Sequence, residues 1–270
     1  MIRRKYPYVV VSLLFYMSIL PWAGADYFNY RAHDITGDGG NITGFDNITN
    51  TGYGGTSRSG DIITKGPWVD VRAYGAVGDG ITDDTAAIQA AIDSLPPPIT
   101  SNDTQPTSAY SSRGGTVVFG AGIYRFTSLT LKNFQGIKGQ GKNTVLKQIG
   151  TSGPAITVAT GGTSAAYQVR LSDFTLEGSA TGVVSGNYGI YAVNTYRSHF
   201  DHLDVVNFGD SGMYFKGGSY TYIQNSYIYG NKGSGIKIVD DAGSYWATDM
   251  YILNNTFEVN YGPAVWLSGA

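Results

Sequence analysis

The chain has 270 residues, of which only 14% are charged, and its formal net charge is −2 with a pI of about 5.9. A weakly acidic chain lacks the basic surface on which nucleic-acid binding depends, so we expect no nucleic-acid partner. Cysteine is absent, which excludes disulfides, metal–thiolate sites and cysteine nucleophiles. The 38 glycines suit a β-rich fold with many tight turns.

Residues 1–25 have the pattern of a secretory signal peptide. Three basic residues at positions 3–5 precede the apolar run YVVVSLLFYMSIL, and the small residues AGA at positions 23–25 form a cleavage pattern. We therefore expect a secreted, extracellular protein without membrane association after cleavage, with an uncleaved signal anchor as the alternative. N-glycosylation sequons, which predict a glycoprotein where the producing cell has the machinery, begin at Asn41, Asn47, Asn102 and Asn254.

Residues 26–66 are rich in Gly, Asn, Thr and Asp and show no helical or alternating period. This composition predicts a linker or a loosely packed arm. The following domain is expected to occupy residues 67–270. Its first regular element is a short strand in WVDVRAYG, beginning at Trp68.

The segment VRAYGAVGDGITDDTAAIQAAIDSL places Asp79, Asp83 and Asp84 before an amphipathic helix. Its apolar residues recur on one helical face, which predicts a helix over Asp84–Leu95. Thr82 or Asp83 can accept backbone N–H groups as an N-cap, and acids at this end oppose the helix dipole. The acids could also form a catalytic cluster or a metal loop, and the helix pattern alone leaves these alternatives open.

The second half of the chain contains a repeat. Turns containing glycine or proline precede Ile190, Met213, Ile236 and Val265, which are 23, 23 and 29 residues apart. The column of Ala192, Phe215, Ile238 and Leu267 follows the same steps. Two further apolar columns step by 29, 23 and 29 residues, with a longer loop in the first copy: Leu171, Phe200, Ile223 and Ile252; and Leu176, Val205, Ile228 and Phe257. A period near 23 with short strands is typical of a parallel β-helix, whose stacked coils share one core.

The motifs VDVRAYGAVGDGITDDTAAIQAAID, GGTVVFGAGIYRFTSLTLK and IKGQGKNTVLKQ resemble the N-terminal signature of the pectate-lyase superfamily. That group includes polygalacturonase-like and rhamnogalacturonase-like proteins, alginate epimerases and phage tailspikes. The resemblance implies a right-handed parallel β-helix from about Val117 onward, closed at its N-terminal end by the helix. It also implies that Asp79, Asp83 and Asp84 form a structural cap that shapes the turn, and that a polysaccharide binds along the stacked strands.

A candidate polysaccharide-binding row lies one residue after the apolar column. Tyr191, Tyr214, Lys237 and Trp266 point outward if that column points into the core. Aromatic rings can stack on sugars, and the lysine can pair with a uronate. The alternative is that loops or a partner chain, as in a tailspike-like homotrimer, cover these side chains.

The catalytic candidates are Asp240 and Asp241, directly after a predicted strand, and Asp249 on the next coil, where Glu258 also lies. Glycoside hydrolysis requires two carboxylates, one protonated and one ionised. Solvated turn acids are the alternative. His202 aligns with Asp173, Asn225 and Asn254, so we expect a polar ladder rather than a general base, and no spacing indicates a metal site.

Several elements of the superfamily's enzymes are missing from the sequence. Polygalacturonase-type hydrolases carry Asn-Thr-Asp, Asp-Asp and Gly-His-Gly on successive coils, whereas only an Asp-Asp is present here, in another context. Alginate epimerases carry Tyr-Gly-x-Asp-Pro-His-Glu, and SGMYFKGG near the corresponding place contains no acid. We also expect the β-helix to be incomplete at its C-terminus, since Ala270 directly follows a strand.

The sequence thus predicts a secreted carbohydrate-active protein. The first hypothesis is cleavage of a polysaccharide by a glycoside hydrolase or a polysaccharide lyase, without a cofactor. The second is a non-catalytic, glycan-binding or structural tailspike-like β-helix. A pair of carboxylates beside Tyr191, Tyr214 and Trp266 would favour the enzyme.

Overall fold

The structure is a computed structural model that describes residues 68–95, 114–159, 165–240 and 247–269. The predicted signal peptide and the arm over 26–66 lie outside these residues. The described part contains one α-helix, α1 (Thr85–Asp93), one 3-10 turn (Val71–Tyr74), and these strands: β1 (Trp68–Asp70), β2 (Asp79–Asp83), β3 (Gly115–Val118), β4 (Gly122–Phe126), β5 (Leu129–Leu131), β6 (Gln135–Gln148), β7 (Ile156–Val158), β8 (Ala166–Tyr167), β9 (Arg170–Glu177), β10 (Ile190–Tyr196), β11 (His199–Val206), β12 (Met213–Gln224), β13 (Tyr227–Tyr229), β14 (Ile236–Val239), β15 (Ala247–Leu253), β16 (Thr256–Glu258) and β17 (Val265–Ser268).

The chain folds as a parallel β-helix, because every strand pairs in parallel with its counterpart one coil away. Three sheets run along the solenoid. Sheet I contains β5, β7, β14, β17 and the first halves of β10 and β12. Sheet II contains β1, β3, β8, β15, the first halves of β6, β9 and β11, and the last parts of β10 and β12. Sheet III contains β2, β4, β13, β16 and the second halves of β6, β9 and β11.

The four apolar columns predicted from the repeat are confirmed by the strand register. Ile190 pairs with Met213, Met213 with Ile236, and Ile236 with Val265. The other three columns are aligned in the same way. The buried members of these columns are fully enclosed in a single core, as the stacking of coils requires.

The corners of the coils are formed by single residues in the left-handed conformation. The corner between the two halves of β11 has His202 at φ 51°, in line with Asp173, Asn225 and Asn254 at φ 63°, 52° and 54°. A left-handed residue reverses the local direction of the backbone within one residue, which separates two strands without a loop. A second set of corners contains Gln168, Arg197, Tyr220 and Asp249, and a third contains Asn207, Gly230 and Val259.

The N-terminal part of the described chain differs from the prediction in one detail. The strand that starts at Trp68 ends at Asp70, because the Asp70 carboxylate accepts the backbone N–H of Arg72 at 2.9 Å and begins the 3-10 turn. Helix α1 forms where the apolar period predicted it and buries Ile88, Ala91 and Ile92. That it closes the end of the solenoid stays a prediction. Neither α1 nor the short 3-10 turn has the length needed to cross a membrane.

Candidate functional site

The outward column of sheet I brings the predicted binding residues together. Tyr191 pairs in register with Tyr214, Tyr214 with Lys237, and Lys237 with Trp266. Strand alternation places their apolar neighbours in the core and leaves these four side chains partly exposed, with Trp266 the most exposed at 38%. We call Tyr191, Tyr214, Lys237 and Trp266 the sheet I row.

A fifth residue, Tyr188, joins the row although the sequence analysis did not select it. Its ring centroid lies 4.8 Å from that of Tyr214 and 6.0 Å from that of Tyr191, and the last two are 5.3 Å apart. Tyr188 lies in the turn just before β10, outside the strand repeat. The only sequence signal was its position two residues before the apolar column.

The lysines of this face are held against aromatic rings. The Lys237 ammonium lies 5.1 Å from the ring centroid of Tyr214 and 4.6 Å from that of Trp266, and the Lys232 ammonium lies 4.6 Å from that of Tyr261. Such cation–π contacts orient a charge without neutralising it. The ring of Tyr214 already contacts Tyr188, Tyr191 and Lys237. The groups left for contact with a sugar are mainly the edges of the tyrosine rings, the Lys237 ammonium and the exposed surface of Trp266.

A surface cleft of about 300 Å³ lies beside the C-terminal half of the row. Its walls include Lys232, Lys237, Tyr261 and Trp266, and Asp210 is the only carboxylate among its described lining residues. The Asp210 carboxylate accepts the backbone N–H groups of Gly186 at 3.0 Å and Ser211 at 2.8 Å. With two ammonium groups against one engaged carboxylate, the cleft favours an anionic ligand.

Burial, followed by the negative charge of Asp210, raises the pKa of Tyr188 to about 12. The phenol therefore stays protonated at neutral pH, and it donates a hydrogen bond to Asp210 rather than acting as a base.

Comparison with known proteins supports the resemblance. Residues 68–163 match the family described as "Rhamnogalacturonase A/epimerase, pectate lyase-like". The chain is 35% identical over 139 residues to mannuronan C5-epimerases AlgE2 and AlgE4 of Azotobacter vinelandii; this covers 45% of the chain but only 12% and 22% of those proteins. Residues 68–163 thus match a pectate-lyase-like family, in agreement with the parallel β-helix formed by the described residues.

Solved structures of similar shape include ORF18 of Geobacillus virus E2 and an iota-carrageenase complexed to iota-carrageenan fragments. The first has a TM-score of 0.49 at 20% identity and covers 74% of this chain and 50% of the other. The second has a TM-score of 0.41 at 14% identity and covers 64% and 40%.

Neither of the two described catalytic candidates, Asp240 and Asp249, lines the cleft beside the sheet I row. Asp240 follows β14 and its Oδ1 atom is buried without a hydrogen-bond partner in the described part of the chain. Asp249 is exposed at a corner of sheet II, at φ 51°. Asp241 lies outside the described residues. Glu258, on sheet III, accepts a hydrogen bond from the Tyr227 hydroxyl.

The three acids before α1 each bind nearby backbone. Asp79 accepts the N–H groups of Ile81 and Thr82, and Asp83 accepts that of Thr85. Asp84 is 1% exposed, and its two oxygens accept the N–H groups of Val77 and Gly78 at 2.7 and 3.0 Å. Its carboxylate thus holds the preceding loop and makes no side-chain capping bond to the helix.

The two described histidines, His199 and His202, contact polar or aromatic neighbours. His202 Nδ1 lies 3.0 Å from Asp201 Oδ1, which also accepts a hydrogen bond from Asn225 at 2.9 Å. The ring of His199 stacks on that of Tyr222 at 4.9 Å. Within the described ranges, no cluster of three or more His, Asp or Glu side chains could hold a metal ion.

Proposed function

We propose that this protein binds an anionic polysaccharide along sheet I, with the sheet I row as the binding surface. The observation that carries the proposal is the pair of ammonium groups, Lys232 and Lys237, in one cleft with the rings of Tyr261 and Trp266. A polymer suits the row because its members repeat on successive coils along the solenoid axis.

A uronate-containing polymer fits this surface best. Lys237 and Lys232 supply charge for carboxylates, while Trp266 supplies an apolar ring surface for the C–H groups of a sugar. The curated relatives are named for mannuronan, a polyuronate, which supports the same class of ligand. The chain spans less than a quarter of the length of these relatives.

The test is a calorimetric titration of the protein with oligogalacturonate and with neutral dextran. We expect Lys237→Gln to weaken oligogalacturonate binding roughly tenfold, since a charge-assisted hydrogen bond is lost. Trp266→Ala should cost about 1–2 kcal/mol of binding free energy with little change in melting temperature. Lys147→Gln is the matched control, because Lys147 pairs with Glu177 at 2.9 Å on sheet III. Equal affinity of Lys237→Gln and the control would refute the proposed surface.

Cleavage of the polysaccharide is the second candidate, favoured by the match to a family of rhamnogalacturonases and epimerases. The absence of a carboxylate pair among the described residues of the cleft makes binding the stronger proposal. An assay over a polysaccharide panel separates the two. New reducing ends alone indicate hydrolysis, added ultraviolet absorbance from an unsaturated uronate indicates β-elimination, and neither signal indicates a binder.

A further inference from the structure

A second row of stacked side chains runs along sheet II, on a different face of the solenoid from the sheet I row. Arg170, His199, Tyr222 and Tyr251 pair in register on four successive coils. The rings of His199 and Tyr222 are 4.9 Å apart at 6°, and those of Tyr222 and Tyr251 are 4.6 Å apart at 9°. Rings stacked in this way cover each other's faces, so the row presents edges and polar atoms to solvent.

A cleft of about 400 Å³ opens beside this row. It is lined by Gln168, Arg170, Arg197, His199, Tyr220 and Tyr222, and this lining contains no carboxylate. Gln168 and Arg170 also border a neighbouring cleft of about 230 Å³ that extends to Phe134 and to Trp68, which is 49% exposed. The two clefts are thus neighbours, with Gln168 and Arg170 in the wall of both.

The electrostatics of the cleft favour an anion. Arg170 is exposed and forms no ion pair in the described part of the chain, and the Arg197 guanidinium lies over the ring of Tyr196 at 5.3 Å. Burial, followed by the positive charge of Arg170, holds the pKa of His199 below its usual range, while Asp201 acts in the opposite direction. A bound anion would offset the charge of Arg170.

We propose that the cleft beside Arg170, Arg197 and His199 is a second binding site for an anionic saccharide, independent of the sheet I row. The planar guanidinium groups match the geometry of carboxylate and sulfate, and tyrosine edges can hydrogen-bond sugar hydroxyls. A saccharide is favoured over a nucleic acid because the chain is acidic overall. Residues that line the two clefts pair in register on successive coils along the solenoid axis, which suits an extended polymer.

The test uses the imidazole resonances of the chain, which has three histidines. The signal of His199 is identified by its loss in His199→Gln, and its pKa is measured by NMR with and without oligogalacturonate or a dextran sulfate oligomer. We expect the bound anion to raise the pKa of His199. In Arg170→Gln, the ligand concentration that gives half of this pKa change should be roughly fivefold to tenfold higher. Lys147→Gln removes the same charge from sheet III and should leave the response unchanged.

The two sites are distinguished by the variant Lys237→Gln, which should leave the response of His199 intact. If His199 does not respond while sheet I binds the oligosaccharide, the second site is refuted and the first survives. The second site is also refuted if the pKa of His199 in Arg170→Gln responds to the ligand as strongly as in the wild type. If only DNA or anionic lipid vesicles shift the His199 signal, a saccharide is the wrong ligand.

Discussion

The substitution Asp84→Asn tests whether the acids before α1 belong to the frame of the fold. Asp84 is 1% exposed, and its carboxylate accepts two backbone N–H groups at 2.7 and 3.0 Å. Each hydrogen bond to a charged group contributes about 1.5–3 kcal/mol, and leaving a buried N–H without a partner adds a desolvation cost. The asparagine side chain keeps one acceptor oxygen for one of these backbone N–H groups, but its NH2 group is a donor and faces the other N–H.

We therefore expect Asp84→Asn to lower the free energy of unfolding by roughly 2–3 kcal/mol. The matched control is Asp83→Asn, since Asp83 is exposed and its bonds to Thr85 resemble those of a helix cap. Asp83→Asn should lower the free energy of unfolding by only about 0.5–1 kcal/mol. Urea titrations at neutral pH, monitored by circular dichroism, give both values if the slope of the unfolding free energy against urea concentration is the same in each variant.

Two results would refute this account of the acids. One is a stability of Asp84→Asn within experimental error of Asp83→Asn. The other is loss of polysaccharide binding or turnover in a variant that is as stable as the wild type, which would place Asp84 in a functional site.

Three other properties of the chain can be predicted. Val259 is β-branched, exposed and left-handed at φ 52°, so Val259→Asn should stabilise the protein by about 1 kcal/mol in a thermal unfolding assay. The control Val183→Asn, at another exposed valine, should leave the stability unchanged. The folded-state pKa of His199 is below the unfolded value of 6.5, so the free energy of unfolding should fall as the pH drops from 7 through 6.5. Urea titrations at several pH values should show a flatter dependence of this free energy on pH for His199→Gln. A wild-type slope as flat as that of His199→Gln would contradict this. Mass spectrometry of exported material should find Asp26 at the N-terminus, whereas an intact Met1 on a membrane-bound product would indicate a signal anchor.

The fold was predictable because a solenoid imposes a strict rule on its sequence. Each coil must place an apolar residue over the one below, so the columns through Met213 and Ile236 are visible as a repeat. The corners were harder to predict. Left-handed residues are usually Gly or Asn, whereas Arg197, Tyr220 and Val259 occupy these corners with no sequence signal.

The candidate site was predictable in its register but not in its contacts. Strand alternation predicted that Tyr191, Tyr214, Lys237 and Trp266 form one column, and they do. Which ring contacts which ammonium depends on side-chain rotamers, which a repeat does not encode. The contact between Tyr188 and the row arises from a turn outside the strands. The second row, on sheet II, was missed because outward-facing neighbours were considered only for the apolar column of sheet I, although the apolar column through Phe200 lies beside this row.

A crystal structure of the protein with bound oligogalacturonate tests the central proposal most directly. We predict that the sugar lies along sheet I, with a carboxylate within hydrogen-bond distance of the Lys237 ammonium and a sugar ring against Trp266. A complex in which the oligosaccharide contacts other parts of the solenoid and leaves the sheet I row free would contradict the proposed function.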